Sequence, residues 1–378
     1  MNFNGFEITP QSGEAGANNI SISVPAVNES IDKVVEIDAI NGDKSARLTL
    51  IHEGMREPFR CKDGDFILAD GGTFNVLKPR DTSGWLHIEA LEDGFTFRFS
   101  NALEYSLDEA KTWSALAANT DSAPLNNGER VWLRANLAPA SSAGIGTFTL
   151  AKQCNVGGNA ASLLVGGDAK DVESIPQYGL QYLFQNCVNL MAVDDDIVPI
   201  PTLQNYACRF MFKGCTNLKK APALPSISIG RGAYLQMFYG CTALEEAGVI
   251  YATTLGIEAM KAMFYGCTKL AKVQDELPAT TLNSNCYNGM YYQCSLLEKA
   301  PALPALTLVS SCYSSMFQYC SKLNYVKAMF TTSPSASYTS NWLSGVASSG
   351  TFVKNTNAKW TTTGASAVPS GWTIIKEG

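Results

Sequence analysis

The chain has 378 residues, too many for one ordinary core, and 46% of them are hydrophobic, as in a globular protein. Charged residues make up only 16%, so much of the polar surface has to come from Ser, Thr, Asn and Gly. A net charge of −6 without any Lys/Arg run argues against nucleic-acid binding, and no apolar run approaches the roughly 18 residues of a membrane-spanning helix.

Residues 1–16 lack the basic and apolar regions of a secretory signal, so either the mature chain starts here after processing or, as Met1 followed directly by structured-looking sequence favours, the chain is made and assembled in the cytosol. From there to residue 60 apolar residues alternate. Ile20, Ile22 and Val24 form one run, Val35, Ile37 and Ala39 a second, Leu48 and Leu50 a third. Turn chemistry at residues 12–16, 28–30 and 41–43 separates them, which predicts a small β-sandwich, with an irregular meander as the alternative. Ile8-Thr9-Pro10, Ser12-Gly13, Asn28 and the closing run from Leu48 to Gly54 resemble the BACON family of Ig-like domains over residues 1–60. That family occurs in Bacteroidetes and their phages. Its name implies carbohydrate binding, but no residue here can be matched to that role.

Residues 61–81 read as a turn-rich connector, and a second small β domain is expected over 82–153. Trp85-Leu86-His87-Ile88 opens it, Phe95, Phe97 and Phe99 line one strand face, and Trp132 and Arg134 share a face opposite Val131, Leu133 and Ala135. Ser106 to Trp113 is similar to the Asp-box hairpin, Ser-x-Asp-x-Gly-x-Thr-Trp, with Ala110 in place of the glycine. That resemblance implies a structural hairpin, and the alanine is costly if the turn needs a positive φ.

From residue 183 a Met-Phe pair, or a close variant, returns six times, each followed by a cysteine and then a leucine. The cysteines are Cys187, Cys215, Cys241, Cys267, Cys294 and Cys320, spaced 28, 26, 26, 27 and 26. The leucines are Leu190, Leu218, Leu244, Leu270, Leu297 and Leu323. A fixed period in the twenties predicts a stacked solenoid over 154–330, its first coil atypical, in which no unit can bury its apolar stripe alone. Each Met-Phe pair is expected on a short amphipathic helical turn, with the Cys packed against the neighbouring coil and the Leu opening an inward strand edge. The aromatic stripe therefore reads as core. Trp342, Gly350 to Lys354, Trp360 and Trp372 to Ile375 predict two or three strands covering the last coil, a β cap over 331–378. The repeat resembles the BspA-type leucine-rich repeats of bacterial surface proteins. The fold class expected is mainly β with short helices: N-terminal Ig-like modules, a leucine-rich-repeat solenoid and a small β cap.

Eleven cysteines raise the question of disulfides. Equivalent residues of stacked coils lie about 4.8 Å apart with parallel Cβ vectors, which does not bring sulfurs together. A ladder of small, reduced, buried thiols is the better reading. Only His52 and His87 are available for imidazole chemistry, both in strand-like runs and both expected to be half-exposed strand residues. No close Cys pair, P-loop, nucleophile elbow or dinucleotide fingerprint occurs, so no enzyme, cofactor or metal site is assigned. Asp194-Asp195-Asp196 is the one carboxylate cluster and reads as a solvated bulge, with Ca²⁺ as the alternative.

The resemblances imply a virion component of a Bacteroidetes phage (tail fibre, baseplate or head surface). The N-terminal domains would dock to other virion proteins, and the solenoid would face a host-surface glycan or protein. A bacterial cell-surface adhesin is the alternative. Neither reading calls for membrane insertion, and both leave a homo-oligomer open. Tyr239, Tyr265 and Tyr292 are candidates for stacking on sugars, against the plainer reading that they belong to the packed face.

Overall fold

A computed structural model describes residues 84–139 and 141–377, together with strand backbones among residues 2–52. The connector at 61–81, Cys61, the turns at 12–16 and 28–30 and much of the 8–54 motif lie outside the described residues. The chain divides into two compact units, Met1–Thr82 and Ser83–Gly378.

In the first unit β1 (Asn2–Phe3), β2 (Phe6–Gln11) and β3 (Asn19–Ser23) form one antiparallel sheet. A ribbon of β4 (Lys33–Asn41) and β5 (Lys44–His52) forms another. The alternating runs are strands, and their register sets Ile8 opposite Ile22, Val35 opposite Leu50 and Ile37 opposite Leu48.

The second unit opens with β6 (Leu86–Ala90), β7 (Phe97–Phe99), β8 (Leu103–Ser106), β9 (Ser114–Leu116), β10 (Arg130–Arg134), β11 (Phe148–Leu150) and β12 (Cys154–Gly157). Further on lie β13 (Ser174–Ile175) and β14 (Leu190–Val193). Strands β14, β12, β6, β10, β8 and β9 make one six-stranded sheet in that order. One face of β10 buries Val131 and Leu133, and Phe95, Phe97, Phe99 and Phe148 fill the core beneath. Trp132 and Arg134 take the other face and are partly exposed. Because β12 runs antiparallel to β6 but parallel to β14, the expected seam at residue 153 falls inside a continuous sheet.

Beyond it the chain is a parallel β-solenoid of about 8 turns with a period near 26 residues. Strand β13 stacks on β15 (Thr202–Leu203), β16 (Ser228–Ile229) and β17 (Thr254–Leu255), which aligns Ile175, Leu203, Ile229 and Leu255. At the far end β18 (Tyr325–Ala328), β19 (Gly350–Lys354) and β20 (Trp372–Lys376) form a second parallel sheet. The β cap thus continues the parallel stacking, with Tyr325 opposite Thr351 and Thr351 opposite Thr373. Its tryptophans Trp342, Trp360 and Trp372 are buried. Among the described residues helix is confined to α1 (Ser162–Val165) and α2 (Ala336–Thr339).

The Met-Phe segments are not helical turns, which corrects the sequence reading. Between residues 206 and 214 the N–H groups of Tyr206, Cys208, Phe210, Phe212 and Gly214 donate to carbonyls of Arg231, Ala233, Leu235, Met237 and Tyr239 in the next coil. The alternate N–H groups of Ala207, Arg209, Met211, Lys213 and Cys215 each close a turn on the carbonyl three residues back. Every fourth residue is left-handed: Tyr206 at φ 60°, Phe210 at 61° and Gly214 at 76°. Apolar residues at spacings of three and four fit a helix and this stacked turn equally well. The turn prevails because it satisfies backbone groups both locally and across coils.

Candidate functional site

The interior of the solenoid is filled by aligned columns. Phe148, Phe184, Phe212, Phe238, Phe264, Tyr291 and Phe317 stack face to face with centroids 5.2–5.6 Å apart. Met211, Met237, Met263, Met290 and Met316 are fully buried beside them. So are Cys215, Cys241, Cys267, Cys294 and Cys320, with Cys187 4% exposed, and all six ladder leucines, Leu190, Leu218, Leu244, Leu270, Leu297 and Leu323. The ten described cysteines are free. Each ladder thiol donates to the carbonyl of the stacked aromatic one coil earlier, Cys215 to Phe184 at 3.1 Å and Cys320 to Tyr291 at 2.9 Å. Burial pushes the Cys187 and Cys241 thiols up to about 12. These sulfurs are structural donors held in the protonated form, without thiolate character for nucleophilic attack.

The outward aromatic face begins at left-handed positions of the first two coils. In successive coils they carry Tyr178 and Tyr182, then Tyr206 and Phe210, all partly exposed. Tyr178 stacks on Tyr206 at 5.5 Å and Tyr182 on Phe210 at 5.2 Å. Arg209 lies among them, its Cζ 5.0 Å from the Tyr206 centroid and 4.8 Å from that of Phe210. Its Nε donates to Gln181 Oε1 at 2.6 Å. Lys213 carries the row on, its Nζ 4.9 Å from the Phe210 ring and 4.7 Å from Tyr239. Then come Tyr239 to Tyr265 at 4.7 Å, Tyr265 to Tyr292 at 4.2 Å, and Tyr319 edge-on to Tyr292 at 5.4 Å. The result is one outward ridge of aromatic rings and two cations along the solenoid.

Tyr239, Tyr265 and Tyr292 therefore sit together on this ridge, outside the fully buried columns. Both faces of Tyr265 are taken by its neighbours, and Lys213 and Tyr319 flank the ends of the trio. The column accordingly offers ring edges and hydroxyls, in place of the open faces that sugar stacking would use. Burial, and then the neighbouring Tyr292 hydroxyl, push the Tyr265 hydroxyl up to about 12, so it stays a neutral phenol. Sequence reasoning missed Tyr178, Tyr182, Tyr206, Phe210, Arg209, Lys213 and Tyr319. The available signal was an aromatic nine and five residues before the cysteine in two successive coils.

The remaining candidates are dispersed. His52 lies in β5. His87 is 3% exposed, where a half-exposed residue was expected; its Nε2 lies 4.0 Å from Asp194 Oδ2, above Gly157, where any Cβ would collide with both. Burial raises the Asp194 carboxyl above its ordinary value, against the opposing pull of His87 and Arg130. Asp195 Oδ1 accepts the Ala223 backbone N–H at 2.7 Å. The acidic triplet is thus divided between separate tasks, and no group of three or more potential metal ligands converges among the described residues.

The hairpin between β8 and β9, where Ser106 to Trp113 resembles an Asp box, is pinned through Asp108. Asp108 accepts from Ser106 Oγ and Thr112 Oγ1, each at 2.7 Å, and from Thr112 N at 2.8 Å. These bonds, that of Ser106 foremost, hold its carboxyl far below the usual range. Ala110 occupies the glycine position at φ 64°. Among the described residues no helix is long and apolar enough to cross a membrane. Comparison with protein-family models, curated proteins and solved structures finds no match.

Proposed function

We propose that this chain is a non-enzymatic adhesion protein whose solenoid presents the Tyr178-to-Tyr319 ridge to a host surface. The observation that carries the reading is the ridge itself. A solenoid with a packed interior leaves its outer face for recognition, and this face displays aligned aromatic edges, phenol hydroxyls and the cations Arg209 and Lys213. Tyr and Arg side chains dominate the energetics of protein recognition surfaces, and a rigid array loses little entropy on binding. The protonated, buried thiols support a non-enzymatic role.

The likeness of the repeat to BspA-type leucine-rich repeats, and of residues 1–60 to BACON domains, supports placement in a Bacteroidetes phage virion. There the N-terminal domains would contact other virion proteins, and the ligand would be a glycan or protein of the host envelope. Fluorescently labelled full chain should bind a subset of Bacteroidetes strains, and Tyr265→Ala combined with Arg209→Ala should abolish that binding without unfolding the chain. Binding to no strain, or undiminished binding by the double variant, would defeat the proposal. Antibody to the chain should decorate phage particles in negative stain. Decoration of cell surfaces in particle-free cultures would favour a bacterial adhesin instead.

A further inference from the structure

The six tryptophans fall into two sets. Trp342, Trp360 and Trp372 are core residues of the last coils, whereas Trp85, Trp113 and Trp132 are partly exposed in the six-stranded sheet region, far in sequence from the ridge. The rings of Trp85 and Trp113 are 4.9 Å apart, and the Arg134 guanidinium covers Trp113 at 4.2 Å while its Nε donates to Glu104 at 2.7 Å. Those two rings are occupied by one another and by the arginine. Trp132 differs: its nearest ring partner is His87, tilted and 6.4 Å away, and no cation lies over it among the described residues. It lines a groove whose walls are the hairpin between β8 and β9, through Leu107, Glu109 and Lys111, and Glu129 with Arg130 at the start of β10.

We propose that this groove binds a neutral, hydroxyl-rich oligosaccharide, with the Trp132 indole as the floor on which one pyranose ring lies. The charge pattern selects the ligand. Lys111 Nζ is 3.3 Å from Glu109 Oε2, and Arg130 Nη2 is 3.1 Å from Glu89 Oε2, so both cations already face a carboxylate. Asp108 is committed to Ser106 and Thr112, and Glu129 Oε2 accepts the Asn126 N–H at 2.7 Å. Acids outnumber bases, which opposes phosphate, sulfate and uronate groups. The paired ammonium, guanidinium and carboxylate groups suit vicinal hydroxyls, which both donate and accept. The apolar face of a pyranose suits the indole, a large amphipathic surface. The bonds around Asp108 fix one wall in advance, so little ordering is lost on binding.

The test is a titration of the full chain, read by isothermal titration calorimetry, with soluble malto-, cello-, laminari-, manno- and xylo-oligosaccharides, and with heparin and polygalacturonate as anionic counterparts. At least one neutral oligosaccharide should give a saturable change, and neither polyanion should. Trp132→Ala should weaken binding about tenfold or more, Trp132→Phe should retain part of it and hold the fold, and Glu246→Gln, which lies in neither the groove nor the ridge, should leave it unchanged. Lack of response to all five neutral ligands, preference for a polyanion, or equal affinity in Trp132→Ala and Trp132→Phe chains would each overturn the proposal. Loss in Tyr265→Ala with retention in Trp132→Ala would move the sugar site to the ridge.

Discussion

The thiol of Cys241 donates a hydrogen bond to the carbonyl oxygen of Phe212, 3.1 Å away in the preceding coil. Cys267 repeats it on Phe238 at 3.1 Å and Cys294 on Phe264 at 3.2 Å. The bond requires the S–H, so the sulfurs serve the fold only while reduced and protonated. With Ellman's reagent near neutral pH, the ten described thiols should be silent in the native chain, and all eleven cysteines should react in guanidinium. Rapid native labelling of several thiols would contradict this packing.

The same burial gives stability a definite pH dependence. The folded-state values of Cys187 and Cys241 are raised from 9.0 to about 12, so the unfolded chain releases these protons first. Stability from this source is complete below pH 9, and it declines as pH rises from 9.0 towards about 12. Chemical denaturation at stepped alkaline pH should show midpoints falling across that window. A flat profile would refute the assignment.

Phe238 lies between Phe212 and Phe264, at 5.5 and 5.4 Å, and is wholly buried. Phe238→Ala should cost about 3–5 kcal/mol. Because coils stabilise only their neighbours, hydrogen exchange should rise most in the flanking coils. A uniform loss of protection across the second unit would show that the coils do not behave as a chain of nearest neighbours.

Much of this was legible in the sequence because a solenoid repeats its demands. The Cys and Leu columns and the aromatic stripe each occupy one environment, and six copies make that environment visible. The backbone between them was not legible: Met211, Phe212 and Cys215 have the spacing of a helix face, and only the bonds to the next coil decide otherwise. Tyr206 and Phe210 were missed because bulky residues rarely adopt a positive φ, so their repeated spacing before the cysteine did not by itself mark them as outward-facing. The burial of His87 was hidden too, since it depends on Gly157 and Asp194, which lie far along the chain.

Ala110 supplies a direct measure of strain. An L-residue at φ 64° costs about 1–2 kcal/mol, and glycine there returns roughly 0.5–1 kcal/mol of that as added freedom in the unfolded chain. Ala110→Gly should therefore stabilise the hairpin by about 0.5–1 kcal/mol, seen as a rise in the midpoint of denaturation. A destabilised variant would mean that the alanine methyl makes compensating contacts.

Along another face Glu246 sits between Lys220 at 3.5 Å and Lys272 at 3.7 Å, all three partly or largely exposed. Such pairs are weak in water, and Glu246→Gln should change stability by no more than about 1 kcal/mol. A larger loss that persists in high salt would show a packing role for the side chain.

The alternation of within-coil and between-coil bonds along each Met-Phe segment makes the molecule extensible. Every such segment offers donors upward and carbonyls downward at matching positions, so a duplicated unit of one period would meet the same partners as the one it copies. Reach is thereby decoupled from foldability: a gene could lengthen or shorten the rod by whole coils while the modules at either end stay as they are.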